Sequence, residues 1–263
     1  MDNYGWAMPV AASSFAKSID LGIWIIHAAM LAIFVLWGIF FVYLLVKYRA
    51  RPGVLAQREE AHSRSSELTS LIPDLAVVAF EIGLIVFYAL PVWSKVKMSV
   101  PDVANPLQLE IVAEQFGWSV HYPGPDGALG PRKAELVHFS NPIGLDHNDP
   151  ASHDDVVMGN ELRLPLGRTA VMKLYSKDVI HSLFIPEFRL KQDAVPGLEI
   201  PVWVEPTRLG KYEITCAQLC GFAHGLMRGD VFVQTQEDFD AWYQSRLATT
   251  PAPDKPTNPS EDF

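Results

Sequence analysis

Two long apolar runs open the chain. Leu21 to Val46 carries no charged side chain, and Leu71 to Trp93 carries only Asp74 and Glu81. Coiled as helices, both are long enough to cross a hydrocarbon layer of about 30 Å, so both are read as membrane spans. The first run exceeds the apolar core of a cleaved secretory signal, has no small-residue cleavage site after it and is flanked by basic residues at its far end, so it is expected to be retained. Beyond the spans the texture changes to short runs rich in β-formers: LQLEIVAE, FGWSVHY, ELRLPL, TAVMKLYS, PVWVEP, KYEIT and DVFVQT. Several alternate polar and apolar positions, which predicts strands, and a series of this kind builds a sandwich or barrel. Between them, NPIGLDHNDPASHDDV (141–156) reads as an exposed, irregular acidic connection. DFDAWYQSRL predicts one amphipathic helix, and the final TTPAPDKPTNPSEDF has too little apolar content to pack, which predicts disorder. The expected organisation is a two-helix hairpin with its loop over residues 1–98, one β-domain over 99–245 and a tail over 246–263.

Charge orients this arrangement. Lys47, Arg49, Arg51, Arg58 and Arg64 crowd the connection between the spans, whereas Lys17 alone precedes the first. Basic residues in short loops favour the cytoplasmic side, so both termini and the β-domain are expected outside, in the periplasm of a bacterial-type inner or plasma membrane. The net charge of −9 argues against nucleic acid. It suits a cationic protein partner attracted over roughly a Debye length of 8–10 Å, or plain solubility.

The two cysteines of the chain stand together in CAQLCGFAHGLM, as Cys216, Cys220, His224 and Met227. A disulfide across so short a loop constrains little of the unfolded chain and leaves the histidine and methionine unused. Zinc accepts two thiolates and two imidazoles but has no use for a thioether, whereas thiolate, thioether and imidazole donors together suit copper. A mononuclear blue-copper site needs one Cys, two His and a weak Met; the second cysteine here allows two thiolates to bridge two metals. That arrangement needs one more histidine, from among His121, His138, His147, His153 and His181. His181 stands out, in the turn SKDVIHSLFIPEF between TAVMKLYS and a further expected strand, although a lone histidine there is otherwise a surface polar residue.

DVIHS, LKQDAVPG and CAQLCGFAHGLM, preceded by QFGWS and two spans, resemble subunit II of the haem-copper oxidases, specifically the cytochrome c oxidase family, from the first span to about Val233. The resemblance implies a two-helix transmembrane hairpin plus an all-β, cupredoxin-like Greek-key domain that holds a dinuclear copper (CuA) centre. Its ligands would be His181, Cys216, Cys220, His224, Met227 and the backbone carbonyl of Gln218. Electrons would come from a c-type cytochrome and pass to haem in catalytic subunit I, where haem and a further copper reduce oxygen to water with proton pumping. Other oxidase subunits and membrane lipid would be further partners. The family pattern also implies electron input at Phe116 and Trp118, where a tryptophan usually precedes; a docking or subunit-interface role for Asp178, Lys191 and Asp193; and proton uptake at Asp74, Glu81 or Glu67. Gln218 replaces a glutamate whose carboxylate reaches a magnesium or manganese ion, which puts that second metal in doubt. The alternatives are the CuA subunit of a nitric oxide reductase and a membrane-anchored copper-handling cupredoxin.

Overall fold

The computed structural model describes residues 8–53 and 68–247. Glu67, two of the five arginines and lysines of the connecting loop (Arg58 and Arg64), and the expected tail from residue 248 onward lie outside the described residues. Two compact units result: Ser18–Met98, and a second that joins the segment up to Lys17 to everything from Ser99 onward.

In the first unit, helix α1 spans Ala16–Lys47 and helix α2 spans Leu68–Met98; their most apolar windows have mean hydropathies of 2.7 and 2.3, and none of either window is buried. Helices this apolar, with their side chains left uncovered, need lipid or a protein partner around them. They meet where Tyr88 donates to the Ser18 carbonyl at 2.6 Å, above Gly22, where an added Cβ would come within 3.0 Å of the Tyr88 ring. Pro91 has no N–H to give and crowds the preceding turn; α2 widens to π-helical turns on either side of it, at Ile85–Ala89 and Ser94–Met98. Asp74 and Glu81 are both exposed on α2.

The second unit is a sandwich of two five-stranded mixed sheets. One has the order β3 (Val156–Gly159), β2 (Gly117–Tyr122), β1 (Leu107–Glu114), β5 (Ala170–Ser176), β8 (Ile200–Val204). The other runs β4 (Glu161–Pro165), β10 (Arg228–Gln234), β9 (Gly210–Cys216), β6 (His181–Ile185), β7 (Leu190–Ala194). β1 pairs with β5, and β4 with β10, in parallel; the remaining ladders are antiparallel, giving the crossed connections of a cupredoxin-like fold. Leu109 and Ile111 of β1 face Trp118 and Val120 of the neighbouring strand's inner side, all essentially fully buried. β3, a short edge strand of sequence VVMG, was not among the expected strands. β6 (HSLFI) falls inside the segment 176–188 expected to be a turn, and is a strand because β7 and β9 pair with it on either side; β7 (LKQDA) takes the place of the further strand expected after that turn.

The segment 141–156 departs from expectation. It is no exposed connection: Asn141, Ile143, Leu145, Asp146, Ser152 and Asp155 are buried. Ile143 and Leu145 pack on Val112, with Val157 and Tyr175 alongside, so the segment roofs the outer face of the first sheet. This is why β1 is buried at nearly every position instead of alternating. The roof is legible only once its four apolar side chains, rather than its acids, are counted.

Two further pieces close the unit. Helix α3 (Gln236–Leu247) starts from Thr235, whose hydroxyl accepts from the Asp238 N–H at 3.1 Å and donates to its carboxylate at 2.8 Å, an N-cap. It seats Phe239 and Trp242 against Tyr122. The segment leading into α1 runs as a strap along the β-domain: Ala12 N–H donates to Glu187 O at 2.8 Å, Ser14 N–H to Glu205 O at 3.0 Å, and Thr207 N–H to Ala12 O at 2.9 Å. The Ser13 hydroxyl donates to Phe188 O at 2.7 Å, and Phe15 meets Trp203 edge to face.

Candidate metal centre

The two chain segments that carry the motif residues are held side by side by one sheet. β6 begins at His181, β9 ends at Cys216, and their ladder aligns Leu183 with Cys216. Ala217 N–H donates to Ser182 O at 3.0 Å, and Cys216 N–H to Met227 O at 3.2 Å, so the loop returns to its own start before β10 begins at Arg228. A tight turn over His224–Leu226 brings His224 back towards the cysteines.

The resulting donors converge. Cys216 Sγ lies 3.9 Å from His181 Nδ1 and 3.9 Å from Cys220 Sγ. Cys220 Sγ is 3.6 Å from His224 Nδ1 and 3.7 Å from Met227 Sδ. The Gln218 carbonyl accepts from Cys216 at 3.2 Å. The sulfurs are nearly twice a disulfide bond length of about 2.05 Å apart, and both cysteines are free. His181, Cys216, Cys220 and Met227 are buried, whereas His224 is half-buried and Gln218 is exposed. Among the described residues, His181, Cys216 and Cys220 form the group of His, Cys and acidic side chains close enough to share an ion. Burial, then the neighbouring Cys216, pushes the Cys220 thiol up to about 11. Without a metal the Cys220 thiol therefore keeps its proton, and a cation that takes it as a ligand must release that proton.

His181 is prepared for ligation. Its Nε2 donates to Asp178 Oδ1 at 2.8 Å, which fixes the tautomer and leaves the Nδ1 lone pair facing the thiols. Burial opposes ionised Asp178, but hydrogen bonds from His181, the Gln115 N–H and the Val179 N–H outweigh it and hold its carboxyl below the ordinary range. Asp178 thus acts on the cluster directly, a role whose sequence signal is its position three residues before the histidine. Trp118 lies buried with its ring edge-on to His181, centroids 6.2 Å apart. Phe116, in the β1–β2 turn, packs against the exposed Phe222 of the cysteine loop at 5.0 Å. Lys191 and Asp193 lie on β7, which pairs with β6 and sets Asp193 opposite Ser182. The remaining histidines go elsewhere: His121 is buried between Glu110 and Asp155, His138 pairs with Ser140, and His153 with the carbonyl of His147.

A cupredoxin-like sandwich preceded by two membrane-type helices, with a buried thiol–imidazole–thioether cluster on its end loops, defines a class: anchored metal domains built to keep soft ligands rigid. The profile of the family "Cytochrome C oxidase subunit II, periplasmic domain" matches residues 107–234. The alternative cytochrome c oxidase subunit 2 of Bradyrhizobium diazoefficiens is 32% identical over 245 residues, covering 92% of this chain and 84% of that protein. Cytochrome c oxidase subunit 2 of Thermostichus vulcanus is 43% identical over 100 residues, 38% of this chain and 30% of its own length. Among solved structures, the periplasmic domain of subunit II of the cytochrome oxidase of Bradyrhizobium japonicum aligns with a TM-score of 0.43 and 23% identity, over 58% of this chain and 100% of that one. The chain belongs to the cytochrome c oxidase subunit II family. It is therefore one subunit of an oxidoreductase complex, and the family implies copper and further oxidase subunits beside it.

Proposed function

We propose that the chain takes single electrons from a c-type cytochrome outside the membrane and hands them, through a dinuclear copper centre, to the haem of the catalytic subunit that reduces oxygen to water and pumps protons. The observation that carries this reading is the buried convergence of two free thiols, two imidazoles, a thioether and a carbonyl on loops pinned by a single sheet. The donor set fits copper better than zinc, because Met227 is turned into the cluster and buried and a thioether is a soft donor. His181, Cys216, Cys220, His224, Met227 and the Gln218 carbonyl would hold the metal. Copper held by these donors would supply a one-electron carrier. The chain's part is to keep those donors still: the β6–β9 ladder fixes the loop roots, Asp178 fixes the His181 ring, and burial excludes water, so little reorganisation accompanies transfer.

Phe116 and Trp118 are proposed as the aromatic approach for the donor's electron, the first at the surface and the second behind it against His181. Asp178, Lys191 and Asp193 are proposed to lie towards the donor or the catalytic subunit. At Gln218 the backbone carbonyl serves copper, while the neutral side chain brings no charge to a second ion. Exposed carboxylates on an apolar helix cost at least about 2–3 kcal/mol unless they face protein or water. Asp74 and Glu81 are accordingly assigned to the contact with the catalytic subunit, as candidates for proton uptake alongside Glu67. The strap of Ala12 to Phe15 is hydrogen-bonded to the β-domain and so shares its side of the membrane, as two intervening spans permit; the basic connection between the spans favours the outside for that shared side.

The test is copper counting and electron paramagnetic resonance on the full-length chain in detergent. Two coppers per chain and a hyperfine pattern from one electron spread over two nuclei are expected. A mononuclear signal, or zinc retained in preference to copper, would overturn the dinuclear reading and favour copper handling.

A further inference from the structure

The turn between β1 and β2 belongs to neither ligand loop, yet it touches both. The Gln115 side-chain amide donates through Nε2 to the carbonyl of Cys220. Its backbone N–H donates to Asp178 Oδ2 at 2.7 Å, and the other oxygen of Asp178 is the one that holds His181 Nε2 at 2.8 Å. One residue is therefore tied to the cysteine loop by its side chain and, through one intermediary, to the histidine loop by its backbone.

The close approach is written into the opposing segment as well. Gly221 follows Cys220 at φ +140°, a conformation side chains rarely adopt, and a Cβ there would come within 2.8 Å of Gln115 Nε2 and 3.0 Å of the Phe116 ring. Glycine is thus required on both counts, backbone conformation and space. Phe116 then closes over Phe222, next along the loop. The two ligand loops are already joined at their roots by the ladder between Leu183 and Cys216; the turn joins them again at the far side of Cys220, where the chain has left the sheet.

We infer that Gln115 is a positioning residue for the metal centre, clamping the cysteine loop through the Cys220 carbonyl and the histidine loop through Asp178, so that the two halves of the ligand set are held as one body. This rests on the dinuclear copper reading above. Its physical sense is that a centre whose ligands come from two separate connections keeps a constant geometry between redox states only if those connections cannot drift apart. Groups that orient metal ligands from outside typically change metal affinity 10- to 100-fold when removed.

Gln115→Leu isolates the side-chain arm, because the backbone N–H to Asp178 survives it. In the full-length, copper-loaded chain, this variant is expected to keep two coppers but lose them to a chelator about tenfold faster than wild type, with an altered copper hyperfine pattern. Gln108→Leu, the same change at an exposed position of β1 away from both loops, is the control and is expected to change release less than about twofold, on the order of ordinary surface substitutions. Should Gln115→Leu fail to accumulate, Gln115→Asn gives the same readout, being common in turns yet too short to reach the Cys220 carbonyl. Release and hyperfine pattern indistinguishable from wild type, or changed equally by Gln108→Leu, would overturn the clamp. A wild-type chain that binds no copper overturns the reading beneath it, and is told apart because it fails before any substitution is made.

Discussion

His121 and His181 are both fully buried, both in strands and both bonded to carboxylates, yet only one is equipped to bind metal. His121 spends both ring nitrogens on acceptors: Nδ1 on Glu110 at 3.1 Å and Nε2 on Asp155 at 2.6 Å. Glu110 is shared in turn with Arg132 at 2.7 Å, and Asp155 also accepts from the Gly124 and Gly130 N–H groups at 3.1 and 2.8 Å. With a carboxylate at each nitrogen the charged ring is favoured, and no lone pair is left facing a site where a metal could enter. His181 spends one nitrogen on Asp178 and turns the other to a thiol. A buried histidine becomes a ligand when its second nitrogen meets a soft donor rather than a second carboxylate. The first histidine fastens the roof segment to the sheet, and the second is left with a nitrogen free to take a cation on the proposed reading.

The largest effect comes from breaking the open site. If the proposed dinuclear copper centre is right, Cys216→Ser removes one of its two thiolates, so the shared-electron signal should vanish and electron delivery from a reduced c-type cytochrome should be largely lost. The sandwich should survive, because Cys216 ends its strand rather than filling the middle of the core. A variant that retains a two-copper signal would mean that the thiolates are not bridging.

Breaking the closed site should do the reverse. His121→Leu leaves Glu110 and Asp155 without their shared cation, and stranding buried charges costs about 3 kcal/mol or more. For a domain of this size that lowers the unfolding midpoint by roughly 10 °C, with the copper count of the folded fraction unchanged. Loss of copper at full thermal stability would show that the two histidines are not separate devices.

A smaller, reversible version of the same experiment is pH. Burial works against the charged His121 ring, but its hydrogen bonds to Asp155 and Glu110 outweigh that and raise it above its ordinary 6.5. Glu110 is likewise opposed by burial but lowered below 4.5 by His121 and Arg132. A group whose folded value is raised stabilises fully below its unfolded value and loses that contribution as pH climbs through the folded one. A lowered carboxylate does so above its unfolded value and loses it as pH falls. The network therefore contributes most between about 4.5 and 6.5. The fall in midpoint on the alkaline side should be shallower in His121→Leu than in wild type; parallel curves would remove His121 as its source. Other groups close to the network are Asp126, Asp154 and Tyr243, the last held high first by its own burial and then by these acids.

Much of this difference between the histidines was hidden from the sequence. The clustering of donors was legible in part because it is local: Cys216, Cys220, His224 and Met227 fall within one loop, whereas His181 was singled out only through the family resemblance, its place between strands alone favouring a surface polar residue. The spans and most strands were legible because apolar runs of the right period leave few alternatives. The closed site was not legible, because Glu110, His121, Arg132 and Asp155 are brought together by the β1–β2 register, which sets Glu110 opposite His121, and by a roof segment whose acids suggested a solvated loop. The strap was missed for the same reason: AASSF has no strand pattern and gains its place only from partners at Glu187, Phe188, Glu205 and Thr207.

The finest test changes the open site without opening it further. Asp178→Asn keeps an oxygen able to accept from His181 Nε2, so the ring should stay oriented and the copper count should remain at two. What is lost is the carboxylate's charge, which favours the more positive, oxidised centre, together with the oxygen that accepts from the Gln115 N–H. Hydrogen bonds to ionised acceptors exceed neutral ones by about 1 kcal/mol, and for a one-electron couple that corresponds to a rise in reduction potential of about 40 mV. Redox titration of the optical signal in the full-length chain measures it. An unchanged potential would make Asp178 a holder of the ring alone, and a lowered one would mean that the carboxylate does not act on the metal through His181 at all.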